Sequence, residues 1–388
     1  MDYYADISPW TLNGESICVT ENNEHLGIVV SGKNEELKNV DRRIQECRKS
    51  LYSLLGPAYA FKCLLPPSVK IHLWRTYCLP ILWSGLSALP IRPNQMKSAK
   101  TFQNKILRSF LHLSKVSPIP ALYFLLGELP IEARIHIGVL TLFHSIWSNP
   151  ETTIFRIVQY ILMMSDSKSC TWSAHVRNLC LIYDLPDPLE LLSCPAWPKS
   201  KWLEIVKTKV TIFHEKALRG QAITNSKMQY LNVKLQGLSG LPHIALQNIR
   251  TTQDALKLRL HLKVLTGDLL TGERLFHQHG SDPSCKLCSA PVESIQHVLT
   301  ECTHTGDVRR RLMPELLNTV LAVQPSSYFL CNQTAYLTQF ILDCTSINLP
   351  ENYRIPAHNP RISEVFRISR DWCHGVLKER SRLLNAIK

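Results

Sequence analysis

The stretch Asn34–Leu55, NEELKNVDRRIQECRKSLYSLL, decides how this chain is read. Its apolar residues Leu37, Val40, Ile44, Cys47, Leu51 and Leu54 recur in alternating steps of three and four. That spacing places them on one stripe of an α-helix. Lys38, Arg42, Arg43, Arg48 and Lys49 fall mostly off the stripe, and Gly56–Pro57 stops the helix. One apolar stripe and a basic outer face describe a helix that packs on a core and shows positive charge to solvent.

The same period extends outward. A second helix follows Pro66–Pro67 and runs toward Leu89, with a kink at Pro80. A third follows Pro93 and turns Met96, Ala99, Ile106, Leu107, Phe110 and Leu113 inward, while Lys97, Lys100, Lys105 and Arg108 decorate it. After the break at Pro118 and Pro120, a further helix covers about Ile131–Trp147. Residues 149–248 are helical in pattern but interrupted by prolines 186, 188, 195 and 198, and Leu235–Pro242 reads as a linker. Helices near Ala255–Leu265, Leu312–Leu321 and Ser363–Ala386, and the apolar segment Tyr336–Leu342, complete the chain. Only residues 10–31 read as strands: a turn at Asn13–Gly14, alternation over Ser16–Thr20, and the run His25–Val30 ending at Ser31–Gly32.

The fold class expected is therefore mainly α, with a short N-terminal β strand pair, a helical bundle, a helical connector and a small metal-binding module. The units expected are 1–32 (strands), 33–148 (basic helical domain), 149–248 (connector), 249–325 (basic helix plus cysteine cluster) and 326–388 (helical tail).

Hydrophobic residues make up 45% of the 388 and charged residues 19%, enough to bury a core and to exclude wholesale disorder. The formal net charge is +13. Residues 33–130 hold fifteen Lys and Arg against five acids, whereas 131–248 and 249–388 are each only +4 by count. A positive field concentrated on one helical region suits a polyanion. The 13 Cys are scattered, no apolar leader follows Met1, and no apolar run is long and uninterrupted. These features predict an intracellular protein of the nucleus or cytoplasm, without a membrane span, whose thiols stay reduced or bind metal.

The sharpest local feature is Cys285-x2-Cys288-x8-His297-x4-Cys302. Cys-x2-Cys presents two thiolates to one ion, and a His and a Cys one helical turn apart supply two more ligands from one helix face. A four-ligand set of this kind suits structural Zn²⁺ and leaves no open position for catalysis. No paired carboxylates, phosphate loop or nucleophile elbow accompany it. Tyr3–Ile7 has only one Asp, so no catalytic residue is expected.

The order of these elements resembles the C-terminal part of a LINE-type, non-LTR retrotransposon reverse transcriptase. Trp10–Gly14 and His25–Ile28 are similar to the strand pair after the family's catalytic turn, with a Leu–Gly step like its primer grip. Arg48–Tyr52, Tyr77–Leu86, Phe102–Leu107 and Gly127-x2-Pro130-x-Glu132–Ala133–Arg134 resemble its thumb, although Trp83–Ser84–Gly85 stands where Tyr–Gly is common. Leu258–Leu260, Leu265–Gly267 and Glu293–Ser294-x2-His297 resemble its terminal zinc knuckle and the helix before it. The resemblance implies a thumb that holds an RNA–DNA duplex and a knuckle that engages RNA or DNA. It places the polymerase carboxylates in a palm upstream of these residues.

The expected contacts to phosphate are Arg42, Arg43, Arg48, Lys49, Lys97, Lys100, Lys105 and Arg108, with Arg309, Arg310 and Arg311 beside the knuckle. Two other readings stay open: part of an active RNA-directed DNA polymerase whose palm is encoded upstream or supplied in trans, and a zinc-dependent protein-interaction module.

Overall fold

The structure is a computed structural model and describes residues 11–16, 20–60, 65–164, 171–234, 237–238, 240–323, 329–346 and 360–387. Tyr3–Ile7 and part of Ser16–Thr20 lie outside the described residues. The chain is mainly helical.

Two separate antiparallel ribbons open it: β1 (Thr11–Leu12) with β2 (Glu15–Ser16), and β3 (Asn22–His25) with β4 (Ile28–Ser31). The expected single run His25–Val30 is instead cut by a tight turn. Leu26 and Gly27 have φ of 50° and 78°. Positive φ at both central residues matches the twist of the flanking strands. The turn escapes a sequence reading because Leu, not Asn or Asp, takes its first position. Asn39 docks this ribbon on the first helix, α1 (Glu35–Ala60). Its side chain accepts from Val29 N and donates to Val29 O, both at 2.8 Å, as a neighbouring strand would.

The α1 stripe is rotated slightly from the one predicted. Val40, Cys47, Leu51 and Leu55 are buried, whereas Leu37 is exposed and Leu54 only partly covered. The second predicted helix comes as α2 (Pro67–Leu73), a π-turn at Trp74–Cys78, and α3 (Leu79–Trp83). Pro80 has no N–H to give, and the ladder widens just before it, with Leu79 N bonded to Trp74 O. Then follow α4 (Pro93–Leu111), α5 (Ile119–Leu126) and α6 (Ile131–Trp147). Trp74, Leu107, Phe110 and Phe124 are fully buried among these helices.

The prolines of the connector mark the breaks between helices, Pro186 and Pro195 within them and Pro188 and Pro198 at the helix starts that follow. After α7 (Thr153–Met164) and α8 (Trp172–Ile182), Pro188 opens α9 (Pro188–Leu192) and Pro198 precedes α10 (Lys199–Ile223). A proline in the first turn costs nothing, because that N–H has no helical partner. Trp202, Val206, Val210, His214, Leu218 and Ala222, spaced by four, bury one stripe of α10, which packs along α6.

The last third comprises α11 (Thr252–Leu265), α12 (Gly272–His279), α13 (Gly306–Val323), α14 (Thr334–Leu342) and α15 (Pro360–Ile387). The α15 helix, which had no role in the sequence reading, is the spine here. It packs against α11, α13 and α14, and its Val365, Phe366, Trp372 and Val376 are buried.

The segment read as a linker is bound to the helical body. Gly240 N bonds to Gly127 O at 2.9 Å, and His243 N to Leu125 O at 2.7 Å. Gly127 has φ of +59°, and a Cβ there would stand 2.1 Å from Leu241 O. Both the conformation and the close approach therefore require glycine. Beside it, the buried Glu128 carboxylate takes Arg75 Nε at 2.6 Å and Arg134 Nη2 at 2.5 Å. Arg75 also donates to Leu126 O, Gly127 O and Gly240 O, so one guanidinium ties three segments. The Gly127–Arg134 motif is thus a packing node of the fold.

Candidate metal centre

Asp282 starts the metal loop: its carboxylate accepts from Ser284 N at 3.0 Å and from Ser284 Oγ at 2.6 Å. Cys285 N then bonds to Ala290 O at 2.9 Å and Ser289 N to Cys285 O at 2.8 Å, closing the Cys-x2-Cys turn. Ser289 takes the left-handed conformation that this closure needs, with φ of 59°.

The other two side chains come from an irregular turn. His297 and Cys302 are five residues apart, which on an α-helix would separate them by about 140°. The expectation of an α-helical face is corrected here. Residues His297–Glu301 form a π-turn, with Cys302 N bonded to His297 O at 2.8 Å. The widened turn brings the five-residue spacing to one side.

The ligand atoms of Cys285, Cys288, His297 and Cys302 all lie within 4.8 Å of one another. This cluster can hold a metal ion. Cys285, His297 and Cys302 are buried and Cys288 is half-buried. His297 Nε2 is 3.3 Å from Cys288 Sγ, and Nδ1 is 3.7 Å from Glu301 Oε2. A carboxylate on the far ring nitrogen orients the near one toward an ion. Burial pushes the Cys285 thiol up to about 11 and raises Cys302 as well, whereas at Cys288 burial is outweighed by hydrogen bonds, the Ala290 backbone first, and the thiol is lowered. A cation would hold the two raised groups in their charged form.

Sequence reasoning missed what supports the centre. Glu293 is buried, and its Oε1 lies 3.8 Å from Cys285 Sγ. Arg380 of α15 grips both carboxylate oxygens at 2.8 Å, and Gly272 N donates to Oε2 at 2.8 Å. Trp372 Nε1 donates to Leu299 O at 3.0 Å. The loop is thus fastened to α12 and α15, whose contributing residues lie 21 and 87 positions away along the chain. A Cβ on Gly272 would meet Pro283 O at 2.5 Å, so the loop sits directly on that backbone. The only local signal was Glu293 itself; nothing in the sequence pointed to Arg380.

The predicted phosphate contacts divide. Arg42 bonds Glu24 at 2.6 Å and Glu46 at 2.8 Å, and these hydrogen bonds, Glu24 first, raise its pKa. Arg43 is spent on Glu46 and Gly27 O, and Lys100 pairs with Glu132. Arg108 folds inward to Ser117 O at 3.1 Å, and its burial lowers its pKa. Arg309 donates to Thr305 Oγ1 at 2.8 Å, and Arg310 pairs with Asp307. Arg48, Lys49, Lys97, Lys105 and Arg311 are exposed. Helices α1 and α4 pack together, and Arg48 lies 5.8 Å over the Phe102 ring of α4. That contact carries the α1 cations to the helix that bears Lys97 and Lys105. Helix α10 adds exposed Lys199, Lys201, Lys207 and Lys216, a set that its paired Lys-x-Lys steps could have signalled.

Among the described residues, no helix is long and apolar enough to cross a membrane. No family model, curated protein or solved structure matches the chain.

Proposed function

We propose that this chain is a zinc-dependent nucleic-acid-binding module, which holds RNA or DNA through the basic face of α1 and α4 and through the knuckle around Cys285, Cys288, His297 and Cys302. The observation that carries the reading is the convergence of the four ligand atoms within 4.8 Å. The donor set fits zinc. Bonds of about 2.3 Å to sulfur and 2.0–2.1 Å to nitrogen in a tetrahedron put S and N about 3.6 Å apart. Cys288 Sγ and His297 Nε2 stand at 3.3 Å. With all four positions taken by protein, the ion's contribution is structural: it neutralises the thiolates and closes the loop.

Exposed Arg48, Lys49, Lys97 and Lys105 support backbone binding without sequence readout. The resemblance to the thumb and knuckle of non-LTR reverse transcriptases agrees with this, and the module is read as non-catalytic by itself. The test is binding of the full chain to a labelled RNA–DNA duplex across a salt series, with and without chelation. Affinity should fall steeply with salt, by roughly one decade per decade of salt for each phosphate neutralised, and fall further on chelation. Absence of binding at low salt, together with capture of a protein partner, would overturn the reading in favour of a protein-interaction module.

A further inference from the structure

We propose that the cleft between the Ser226–Tyr230 loop, α12 and Ser294–Gln296 binds one nucleotide unit, its phosphate on Lys227, Arg274 and His277 and its base against Tyr230, and that the metal centre fixes one wall of this cleft. The proposal deepens the nucleic-acid reading above and rests on it for its ligand class. It assigns residues that neither the sequence nor the basic α1–α4 face brought forward.

The cleft measures about 610 Å³, within the usual size of small-molecule sites. Its lining combines three basic side chains, one acid (Glu273), an aromatic ring and apolar surface from Leu269 and Ile295. An aromatic face beside cations is the combination that takes a nucleotide: the base stacks and the phosphate is paired. One of these cations is incompletely answered by the protein. Among the described residues, Arg274 reaches Asp268 only at 3.9 Å and its Nε and Nη1 are buried without a partner, while Lys227 Nζ donates to Val116 O at 3.0 Å. Burial, and then the Arg274 charge beside it, lower the pKa of Lys227 against the opposing pull of Asp268. An anion at this point would relieve both.

The third wall runs straight into the metal centre. Ser294 Oγ accepts from the backbone N of the ligand His297 at 3.0 Å. Gln296 Nε2 holds Glu301 Oε1 at 2.6 Å, and Glu301 faces the His297 ring. Opposite, Arg274 and His277 sit on α12, whose first residue is anchored to Glu293. Losing the ion therefore releases one wall and the anchor of another.

The test titrates the full metal-loaded chain with adenosine monophosphate, inorganic phosphate and a single-stranded RNA of about eight residues. Adenosine monophosphate and the RNA should bind and compete, and phosphate alone should bind more weakly. The paired variant Lys227→Gln/His277→Gln, at one half-buried and one exposed position, and separately Tyr230→Leu, should each weaken both ligands roughly tenfold, with circular dichroism unchanged. Chelation should abolish binding of the mononucleotide. Binding of adenosine monophosphate without binding of any RNA or DNA would uphold this cleft and sink the broader reading. Duplex binding that ignores the mononucleotide and both variants would uphold the broader reading and overturn this cleft. No binding of either mononucleotide or single strand would also overturn it.

Discussion

The helical body around Trp74 and the loop around Cys285 reach order by different means. In the body, apolar side chains such as Trp74, Leu107, Phe110 and Phe124 are fully buried, and one carboxylate, Glu128, is held between Arg75 and Arg134. In the segment from Asp282 to Cys302, the buried residues are Cys285, Glu293, His297, Val298, Leu299 and Cys302. Four of those six are polar or thiol groups. Apolar burial is diffuse and survives single losses, whereas ligation is local and fails as a unit. The same sequence thus contains one region that can stand on area and one that, on the proposed reading, depends on an ion and on Arg380.

The largest expected effect separates the two regions. Chelating the metal should remove amide protection from 282–302 and leave it intact in α4 and α6, since structural zinc supplies on the order of 10 kcal/mol to such loops. Hydrogen exchange with mass spectrometry reads this, and equal loss in α4 would mean that the body leans on the knuckle.

Next, in the body, Glu128→Ala leaves two guanidinium groups without their carboxylate. Removing one member of a buried pair costs about 3–5 kcal/mol, so the thermal midpoint should drop by many degrees. An unchanged midpoint would mean the node is dispensable.

A third effect is acid sensitivity near α6. His136 bonds Tyr183 Oη at 2.6 Å, and Tyr183 bonds His214 at 3.1 Å. Burial first, and then the neighbouring His175 and His214, pull His136 from 6.5 to about 3. The unfolded chain takes up this proton at the higher value, so the stabilisation is complete above about 6.5 and is lost as pH falls toward 3. The cost is about 2 kcal/mol at pH 5 from His136 alone. Urea midpoints at pH 7 and pH 5 should differ accordingly, and His136→Gln should shrink the difference.

The smallest effect sharpens the comparison at the knuckle. Glu293→Gln keeps the shape but weakens the grip of Arg380, and metal affinity should fall by about 10-fold or more. Competition against a chromophoric chelator measures it; unchanged affinity would confine Glu293 to packing.

The two regions also differ in how they showed in the sequence. Most of the stripes of α1 and α4, the extent of α6 and the four residues of the metal-binding cluster were legible, because periodicity and ligand spacing are both local patterns. The Leu26–Gly27 turn was hidden by a residue that rarely takes positive φ. The π-turn at His297 could not be read from spacing, since an i, i+5 pair is misplaced on an α-helix. Arg42, Arg43, Lys100 and Arg108 look like surface cations in a linear reading, yet their partners lie on other elements or fold them inward. Arg380 was invisible for the same reason: its contact to Glu293 crosses 87 residues.

The proposed metal centre is tested most directly by X-ray absorption at the zinc edge of the purified full chain. Three sulfurs at about 2.3 Å and one nitrogen at about 2.0–2.1 Å, with a single zinc per chain, are the predicted result. A shell dominated by oxygen and nitrogen, or a folded chain that carries no zinc, would contradict it.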